Sequence, residues 1–496
     1  MSKQIAARGL VALAACLITT TTFAAGADYN LPELGQPADT AMTPSQERKL
    51  GAQVVYQLRT QNAIIDDVEL EAYVNQIGRR LAAHTDRDPD LFHFYVIDTD
   101  AINAFALPGG YIGINSGLLT RTDNESELAG VMGHEMAHVT QRHIARQMVE
   151  SRGDGIATMA TAIVAAVVGA AAGASDAVPA AIMGGMSHLG MQQLDYTRAH
   201  EFEADRVGIR TLAQSDFDPT AMATFFEKLQ RNTSLYGQQL PQILLSHPIS
   251  TTRMAEAEAR ALDYPNVPVH VSPEYAYMKE RARVLQARSY ADMRNYYQRQ
   301  LAGGGTPAER YGYALTLVQL GRARQAVGLL ADGAKAHPDI LAWQMALANA
   351  QNHAGQSQES DAELARALKQ FPDSDALKLA YAQDLADQGQ YATMRSFLIN
   401  QGQILDAYPL AQQLLARGAG EQKNLGEAYY RQARYYAMLD DYPQAINQLR
   451  TALQTADLSP YDNSRLSALR TQMVEACHRA WSADQCRRGV EQGNDY

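Results

Sequence analysis

ELAGVMGHEMAH, residues 127–138, is the stretch of sequence that decides the fold of this chain. Its apolar residues recur at helical spacing and predict a helix. Residues four apart lie on one face of a helix, so His134 and His138 can place two imidazole nitrogens on one divalent metal ion. Glu135 lies beside that position, where its carboxylate can accept a proton from water. The stretch predicts the metal-binding helix of a hydrolase; a coincidental pair of surface histidines is the alternative.

A catalytic zinc ion also needs a third protein ligand and one open position. The candidates lie in RAHEFEAD, residues 198–205, which predicts a second helix. Glu201 and Asp205 are four apart on one face of it, and Asp205 can accept a hydrogen bond from a ligand histidine and fix its tautomer. Acidic residues on a helix are also typical of a solvated face. Spacing alone leaves Glu201 and Glu203 as alternative third ligands.

The two motifs together resemble the gluzincin metallopeptidases related to CAAX prenyl proteases and the heat-shock protease HtpX. The resemblance covers roughly residues 40–270 and includes NAFALPGGYI, residues 103–112, before the metal-binding helix. It implies a zincin-type peptidase with one Zn²⁺ per chain, held by His134, His138 and Glu201. Glu135 would then be the catalytic base.

Residues 103–115 predict two short strands around Pro108-Gly109-Gly110. An ordinary hairpin is one interpretation. The other is a sheet edge beside the metal, onto which an extended peptide adds as a further strand. The family resemblance favours the second interpretation.

His247 lies in Ser246-His247-Pro248, ahead of a predicted helix that contains Arg253. The proline keeps His247 extended at the start of that helix. His247 is therefore a helix-entry residue without a metal role, an oxyanion stabiliser, or a fourth ligand that keeps the enzyme latent. Arg253 is a second candidate for the oxyanion. Other histidines are predicted to be exposed or packing residues: His143, His188 and His200.

The N-terminal residues 1–27 are predicted to be a cleaved export signal. Lys3 and Arg8 precede an apolar core, and Ala25-Gly26-Ala27 is a small-residue cleavage site. This signal predicts a soluble periplasmic protein. LAAC, residues 13–16, resembles a bacterial lipobox, so a lipid anchor at Cys16 is the alternative.

Two cysteines remain in the mature chain, Cys477 and Cys486. An oxidising compartment would let them pair, and the export signal favours such a compartment. No histidine pair flanks them at ligand spacing, which argues against a metal role. We therefore predict a disulfide.

Length and charge limit the classes of function. At 496 residues, two or more domains are expected. The formal net charge is −11 and no basic patch stands out, which argues against a nucleic-acid partner. An acidic surface mainly favours solubility.

The first half of the chain predicts a mostly helical α+β domain. Thr43-Pro44-Ser45-Gln46 is a capping box that begins a helix toward Leu58. A second helix is predicted from about Val68 to His84, followed by a strand over residues 91–97. With the hairpin and the metal-binding helix, these elements complete an α+β arrangement.

Residues 156–175 carry no charged side chain, and their length would admit a membrane span. Their large side chains recur as one stripe on an Ala/Gly/Thr background, which is typical of an amphipathic or buried helix. We interpret the segment as a mobile cover near the cleft. A transmembrane span, and with it a membrane-integrated protease, is the alternative.

From about residue 273 the sequence becomes helix-rich and shows a 34-residue period. Glycines and prolines recur at that spacing: Gly321, Gly355 and Gly389, and Pro338 and Pro372. Tetratricopeptide repeats typically have glycine at the turn between their two helices, a small residue such as Ala326 where the helices pack, and proline at the end of the unit. Residues 441–446 with Ala452 fit the pattern again, whereas the third unit has Met394 at the small position and lacks the proline. A non-repetitive helical domain is the alternative; repeats would offer a concave surface for polypeptides.

We therefore predict three parts: an export signal at 1–27, an α+β zincin-type metallopeptidase domain at 28–272, and an all-α tetratricopeptide-repeat solenoid at 273–496. This combination resembles the periplasmic beta-barrel assembly-enhancing proteases of Gram-negative bacteria. The resemblance implies unfolded or misassembled outer-membrane proteins as substrates, contact with the barrel assembly machinery and the membrane periphery, and chaperone-like activity. The alternative is a repeat-based binding or chaperone protein with a suppressed zinc site, although a structural site would not require Glu135.

Overall fold

The computed structural model describes residues 37–150, 197–235, 241–265, 267–269, 271–455, 457–481 and 486. Four sequence predictions lie outside these residues: the export signal at 1–27, the lipidation site Cys16, the apolar segment 156–175 and His188. From Pro37 onward the chain forms a single unit, so its first half and its second half pack together.

Helices dominate the first half. They are α1 (Pro37–Ala41), α2 (Pro44–Thr60), α3 (Val68–Ala82), α4 (Ser116–Arg121), α5 (Glu125–Thr140), α6 (His143–Glu150), α7 (Arg198–Gln214), α8 (Ala221–Leu235), α9 (Gln242–Ser246) and α10 (Thr251–Ala261). The predicted capping box of α2 is confirmed: the side chain of Thr43 accepts from Gln46 N, and Thr43 N donates to Gln46 Oε1. Helix α3 ends at Ala82, two residues before the predicted end.

A three-stranded sheet precedes the metal-binding helix. Its strands are β1 (His93–Ile97), β2 (Ala104–Leu107) and β3 (Tyr111–Asn115), in the order β1-β3-β2. Strand β3 is parallel to β1 and antiparallel to β2, so the predicted hairpin is confirmed. Gly109 and Gly110 have φ values of 83° and 95°, a left-handed region that favours glycine. Strand β1 starts two residues later than predicted because Pro89–Leu91 forms a 3₁₀ turn.

Helices α5 and α7 approach each other closely at two glycines. A Cβ added at Gly133 would lie 3.5 Å from the carbonyl oxygen of Gly208. A Cβ at Gly208 would lie 3.1 Å from the backbone nitrogen of His134 and 2.9 Å from Met222 Cε. Further along the same contact, Ala137 and Ala204 are buried together. Small residues therefore bring the backbones of the two motif-bearing helices into contact.

The second half is helical wherever it has regular structure in the described residues. Its helices are α11 (Tyr275–Leu285), α12 (Tyr290–Ala302), α13 (Pro307–Gln319), α14 (Ala323–Ala336), α15 (Leu341–His353), α16 (Ser357–Gln370), α17 (Asp375–Asp387), α18 (Tyr391–Ile399), α19 (Gly402–Ala407), α20 (Pro409–Glu421), α21 (Leu425–Met438), α22 (Tyr442–Thr455) and α23 (Pro460–Ala480). Consecutive helices pack against one another from α13 to α18 and from α20 to α23. Among the described helices, none has both the length and the apolar character needed to cross a bilayer.

The 34-residue period of the sequence corresponds to equivalent turns between helices. Gly321, Gly355 and Gly389 each follow a helix with φ between 71° and 78°. Asp440 adopts the same conformation after α21, with a φ of 58°. The side chain at the fifth position after each of these four turns is buried: Ala326, Ser360, Met394 and Ala445. The large Met394 fits because Gly418 leaves room, since a Cβ there would lie 2.7 Å from Met394 Cε.

Buried polar contacts join the two halves. Arg281 Nε and Nη2 donate to the two carboxylate oxygens of Asp67 at 2.7 and 2.8 Å, and Arg281 Nη1 lies 2.7 Å from Glu69. The hydroxyl of Tyr275 donates to the carbonyl of Thr122 at 2.6 Å. Residues of α3, α5, α11 and α15 share one hydrophobic core. The first half is thus continuous with the helices that follow it.

The C-terminal helix is fastened to the first half. Cys477 and Cys486 form a disulfide with a Cα–Cα distance of 5.9 Å, as the sequence predicted. Trp481 donates its indole N–H to the carbonyl of Asp440 at 3.0 Å and packs edge-to-face on Tyr56 of α2.

We expect Gly208→Ala to lower the urea midpoint of unfolding by an amount equivalent to about 1–3 kcal/mol, because the added methyl group overpacks the contact between α5 and α7. Gly328→Ala is the matched control, since it lies on an exposed helical position with no atom within 4 Å of an added Cβ. The control should be stabilised by up to about 1 kcal/mol, as alanine favours helix over glycine. Equal responses of the two variants would contradict the close contact.

Candidate metal centre

The side chains of His134, His138, Glu201 and His247 converge on one point. Each offers one ligand atom, all of these atoms lie within 4.8 Å of one another, and all four residues are buried. The first two come from α5, Glu201 from α7, and His247 from the residue that follows α9. The structure therefore brings together both sequence motifs and the histidine at residue 247.

The distances between these donor atoms fit a tetrahedral metal site. His134 Nε2 lies 3.0 Å from His138 Nε2 and 3.3 Å from His247 Nδ1. Glu201 Oε1 lies 3.4 Å from His138 Nε2 and 3.0 Å from His247 Nδ1. Ligands about 2.0–2.1 Å from a tetrahedral zinc ion are about 3.3 Å apart. These four distances of 3.0–3.4 Å fit such an ion.

Local structure explains why each ligand points to this place. The N-cap Asn124 accepts from Glu127 N and begins α5, on which the two histidines are one turn apart. The N-cap Thr197 accepts from His200 N, which places Glu201 in the first turn of α7. His247 is the C-cap of α9, where its backbone N–H donates to the carbonyl of Ile243 at 2.8 Å.

Glu135 lies beside the ligand group without joining it. The residue is 0% exposed, and neither carboxylate oxygen has a hydrogen-bond partner within the described part of the chain. Its Oε1 lies 3.4 Å from His247 Nε2. An unpartnered buried carboxylate is unfavourable unless a ligand or water supplies its hydrogen bonds. This environment suits a proton acceptor next to a metal.

Asp205 and Arg253 hold the ligand residues from behind. His134 Nδ1 lies 2.9 Å from Asp205 Oδ1, the contact that the outer partner of a ligand histidine would make. Arg253 donates to both oxygens of Asp205 at 2.8 Å, and its Nη1 lies 2.7 Å from Glu201 Oε2. The guanidinium is thus engaged by two carboxylates, which favours positioning of ligands over contact with an oxyanion.

The electrostatics of the group suit a cation. Burial lowers the pKa of His134, but the carboxylates of Asp205 and Glu201 raise it to about 10. Burial and the neighbouring His134 hold the pKa of His138 well below its usual range. Burial raises the pKa of Glu201, but His247 and His134 lower it well below its usual range. Glu201 is therefore held as an anion and His138 as a neutral imidazole, the states in which each could bind a metal ion.

Sequence reasoning missed the environment of His143. This histidine is fully buried, its Nδ1 lies 2.9 Å from His138 Nδ1, and its Nε2 lies 3.2 Å from Glu203 Oε2. The ring of His200 stacks on it at 4.4 Å. Glu203, the alternative third ligand on spacing, contacts His143 and Arg146 and stands outside the ligand group. His143 follows His138 by five residues, a spacing that gives no sequence signal of this contact in a continuous helix.

Comparison with known proteins identifies the family. A sequence model of peptidase family M48 matches residues 69–261. The chain is 32% identical to the beta-barrel assembly-enhancing protease of Escherichia coli strain K12 over 457 residues, which cover 90% of this chain and 91% of that protein. It is 30% identical to the Yersinia pestis protein of the same name over 474 residues, 92% of this chain and 96% of that one.

The chain belongs to the family of beta-barrel assembly-enhancing proteases. It is therefore a metallopeptidase, as the sequence motifs predicted, with a mostly helical zincin-type domain. The mitochondrial metalloendopeptidase OMA1 of Schizosaccharomyces pombe is 30% identical over 189 residues, 38% of this chain and 51% of that protein.

We expect Arg253→Met to lower the free energy of unfolding of the metal-free protein by about 3–5 kcal/mol, because it leaves two buried carboxylates without their partner. Arg206→Met is the matched control, since that side chain is 58% exposed and 3.9 Å from Glu203. The control should change stability by less than about 0.5 kcal/mol. Urea unfolding after chelation measures both; a comparable loss in the two variants would contradict the positioning role of Arg253.

Proposed function

We propose that this chain is an exported zinc metalloendopeptidase that degrades misassembled outer-membrane β-barrel proteins or assists their assembly in a chaperone-like way. The main structural support for this activity is the buried group of His134, His138, Glu201 and His247. Beside it lies Glu135, whose carboxylate accepts no hydrogen bond within the described residues. The link to β-barrel assembly comes from the relatives, which are named beta-barrel assembly-enhancing proteases.

The donor set favours zinc. Imidazole nitrogens with one carboxylate are the ligands of catalytic zinc sites, and their spacing here fits tetrahedral coordination. Oxygen-rich sites, which suit magnesium or calcium, have a different composition. We propose one Zn²⁺ per chain, with Asp205 and Arg253 holding two of its ligands.

The proposed reaction is hydrolysis of a peptide bond. Zinc in this site would supply Lewis-acid activation of water and of the scissile carbonyl. Glu135 accepts the proton of the attacking water and passes it to the leaving amine. Its carboxylate is buried and accepts no hydrogen bond within the described residues, which keeps it available for this transfer. Asp205 orients His134, so that Nε2 faces the reaction centre.

An extended substrate would bind along β2. This strand pairs only with β3 in the described sheet and therefore presents an edge. A crevice lined by Ala106, Leu107 and His138 connects the end of β2 with the metal-binding helix. Main-chain hydrogen bonds to such an edge would align a peptide irrespective of its sequence.

We propose that residues 273–496 form a tetratricopeptide-repeat solenoid and residues 28–272 the peptidase domain. The equivalent left-handed turns at Gly321, Gly355 and Gly389 support the repeats. Between α3 and the repeat helices lies a cavity of about 520 Å³, whose lining includes Met345 and Tyr408. Such a surface would hold a client polypeptide or dock onto the barrel assembly machinery.

Export through the signal at residues 1–27 would place the protein in the periplasm. The disulfide between Cys477 and Cys486 supports an oxidising compartment. A lipid anchor at Cys16 would instead tether it, and either form allows peripheral membrane contact. The competing function is a repeat-based binding protein with a suppressed zinc site. The buried Glu135 disfavours it, because a purely structural site would not keep an unpartnered carboxylate.

We expect Glu135→Gln to cut casein cleavage by the mature protein at least about a hundredfold, because it removes the general base. Zinc content should stay equal to that of the wild type, since Glu135 is not a ligand. Glu227→Gln is the control, with a side chain that is 52% exposed, and it should retain full activity. Absence of zinc from wild type and variant would sink the proposed metal centre, and equal cleavage by both would sink the role of Glu135.

We further propose that His247 is a fourth ligand that keeps the enzyme latent. Its Nδ1 lies within 3.3 Å of donor atoms of His134 and Glu201, where the open position of a catalytic zinc is expected. A resident ligand there excludes the substrate carbonyl. Latency would spare folded neighbours from cleavage.

We expect His247→Ala to raise basal casein cleavage severalfold while zinc remains bound by the other three ligands. His353→Ala, an exposed histidine in the second half, is the control and should leave the rate unchanged. Initial rates and zinc content of the purified proteins measure the effect. Loss of cleavage with zinc retained would instead favour the oxyanion-stabilising role.

A further inference from the structure

The ring of His138 has a buried neighbour on the side that faces away from the ligand group. His138 Nε2 faces the group, 3.0 Å from His134 Nε2, whereas its Nδ1 lies 2.9 Å from His143 Nδ1. The far nitrogen of His143, Nε2, lies 3.2 Å from Glu203 Oε2. A continuous row of contacts thus leads from the ligand group through two imidazoles to a carboxylate.

The positions of the protons in this row follow from the donor inventory. A neutral imidazole carries one N–H, and a ligand histidine presents its lone pair to the metal. His138 presents Nε2 and so carries its proton on Nδ1. Two N–H donors cannot face each other at 2.9 Å, so His143 Nδ1 must be the acceptor. His143 then carries its proton on Nε2 and donates it to Glu203.

We propose that His143 and Glu203 are positioning residues that hold His138 in its metal-binding tautomer and orientation. This inference rests on the proposed function, because it requires the ligand role of His138. The two ligand histidines of α5 are then supported differently. His134 has the carboxylate of Asp205 directly beside its Nδ1, whereas His138 reaches a carboxylate through a second imidazole.

The surroundings hold the two residues in place. Arg146 Nη1 donates to Glu203 Oε2 at 2.8 Å, and the ring of His200 stacks on His143 at 4.4 Å. Between α5 and α6, Arg142 has a φ of 53° and donates to the carbonyl of Met42 at 2.6 Å. This turn directs His143 back toward His138.

His143 makes two hydrogen bonds in this row: it accepts one from His138 and donates one to Glu203. Two substitutions of His143 test these hydrogen bonds separately. Asparagine places its side-chain oxygen where the imidazole has Nδ1, so His143→Asn keeps the acceptor for His138. Glutamine extends one bond further, to the position of Nε2, so His143→Gln keeps a donor for Glu203 and loses that acceptor. His353→Asn is the control at an exposed histidine.

The measurement is the zinc dissociation constant of each purified full-length protein, from competition with a chromophoric chelator. We expect His143→Gln to raise this constant about 10–100-fold, the usual effect of removing an outer partner of a ligand histidine. His143→Asn and the control should stay close to the wild type. Thermal unfolding of the metal-free proteins shows whether each variant is folded before zinc is added.

The titration distinguishes failure of this inference from failure of the proposed function. If the wild type binds no zinc, both the metal centre and this inference fail. If the wild type binds zinc and His143→Gln binds it equally well, only the inference fails. Equal weakening in His143→Asn and His143→Gln would also overturn it, because the acceptor at Nδ1 would then be irrelevant.

Nuclear magnetic resonance of the unsubstituted protein tests the same inference without any variant. In the zinc-loaded protein with ¹⁵N-labelled histidine, we expect His138 to carry its proton on Nδ1 and His143 on Nε2. A proton on His143 Nδ1, or on both of its nitrogens, would overturn the proposal even if every substituted protein failed to fold.

Discussion

The contact between α5 and α7 at Gly133 and Gly208 is the constraint on which the centre depends. The two ligand histidines lie on one helix and Glu201 on the other, and their donor atoms must come within about 3.3 Å of each other. A Cβ at Gly208 would crowd the backbone nitrogen of His134 at 3.1 Å, whereas a Cβ at Gly133 would make an ordinary contact, 3.5 Å from the carbonyl oxygen of Gly208. The absence of a side chain at Gly208 therefore permits this approach, so a helix contact sets the spacing of the candidate ligands.

Sequence analysis succeeded where the spacing of residues within one element decides their arrangement. His134, Glu135 and His138 take their relative positions from the turn of a single helix. The capping box at Thr43 and the glycine turns of the 34-residue period are likewise local. Such features were predicted with their residues, and the hairpin around residues 108–110 belongs with them.

Two arrangements that depend on distant residues escaped prediction. In a continuous helix, a residue five positions after His138 points to a different face, so His143 carried no signal of a shared role. The left-handed conformation of Arg142 changes this, and it is held by Asp39, Glu47 and the carbonyl of Met42, about a hundred residues earlier. Met394 is similarly too large for the small position of the repeat pattern, and the structure accommodates it because Gly418, which it contacts, has no side chain. The positions of His143 and Met394 therefore depend on tertiary packing, which the local sequence pattern does not contain.

Charge balance links the ligands to their surroundings. Burial of several carboxylates is unfavourable unless cations compensate them. Among the described residues, the acidic and basic side chains around the centre include Glu135, Glu201, Glu203, Asp205, Arg146 and Arg253. The two guanidinium groups leave an excess of negative charge, which a proton on His134 reduces in the metal-free protein because its pKa is about 10. A divalent cation would displace that proton and balance the remaining charge, so the outer residues also favour a dication.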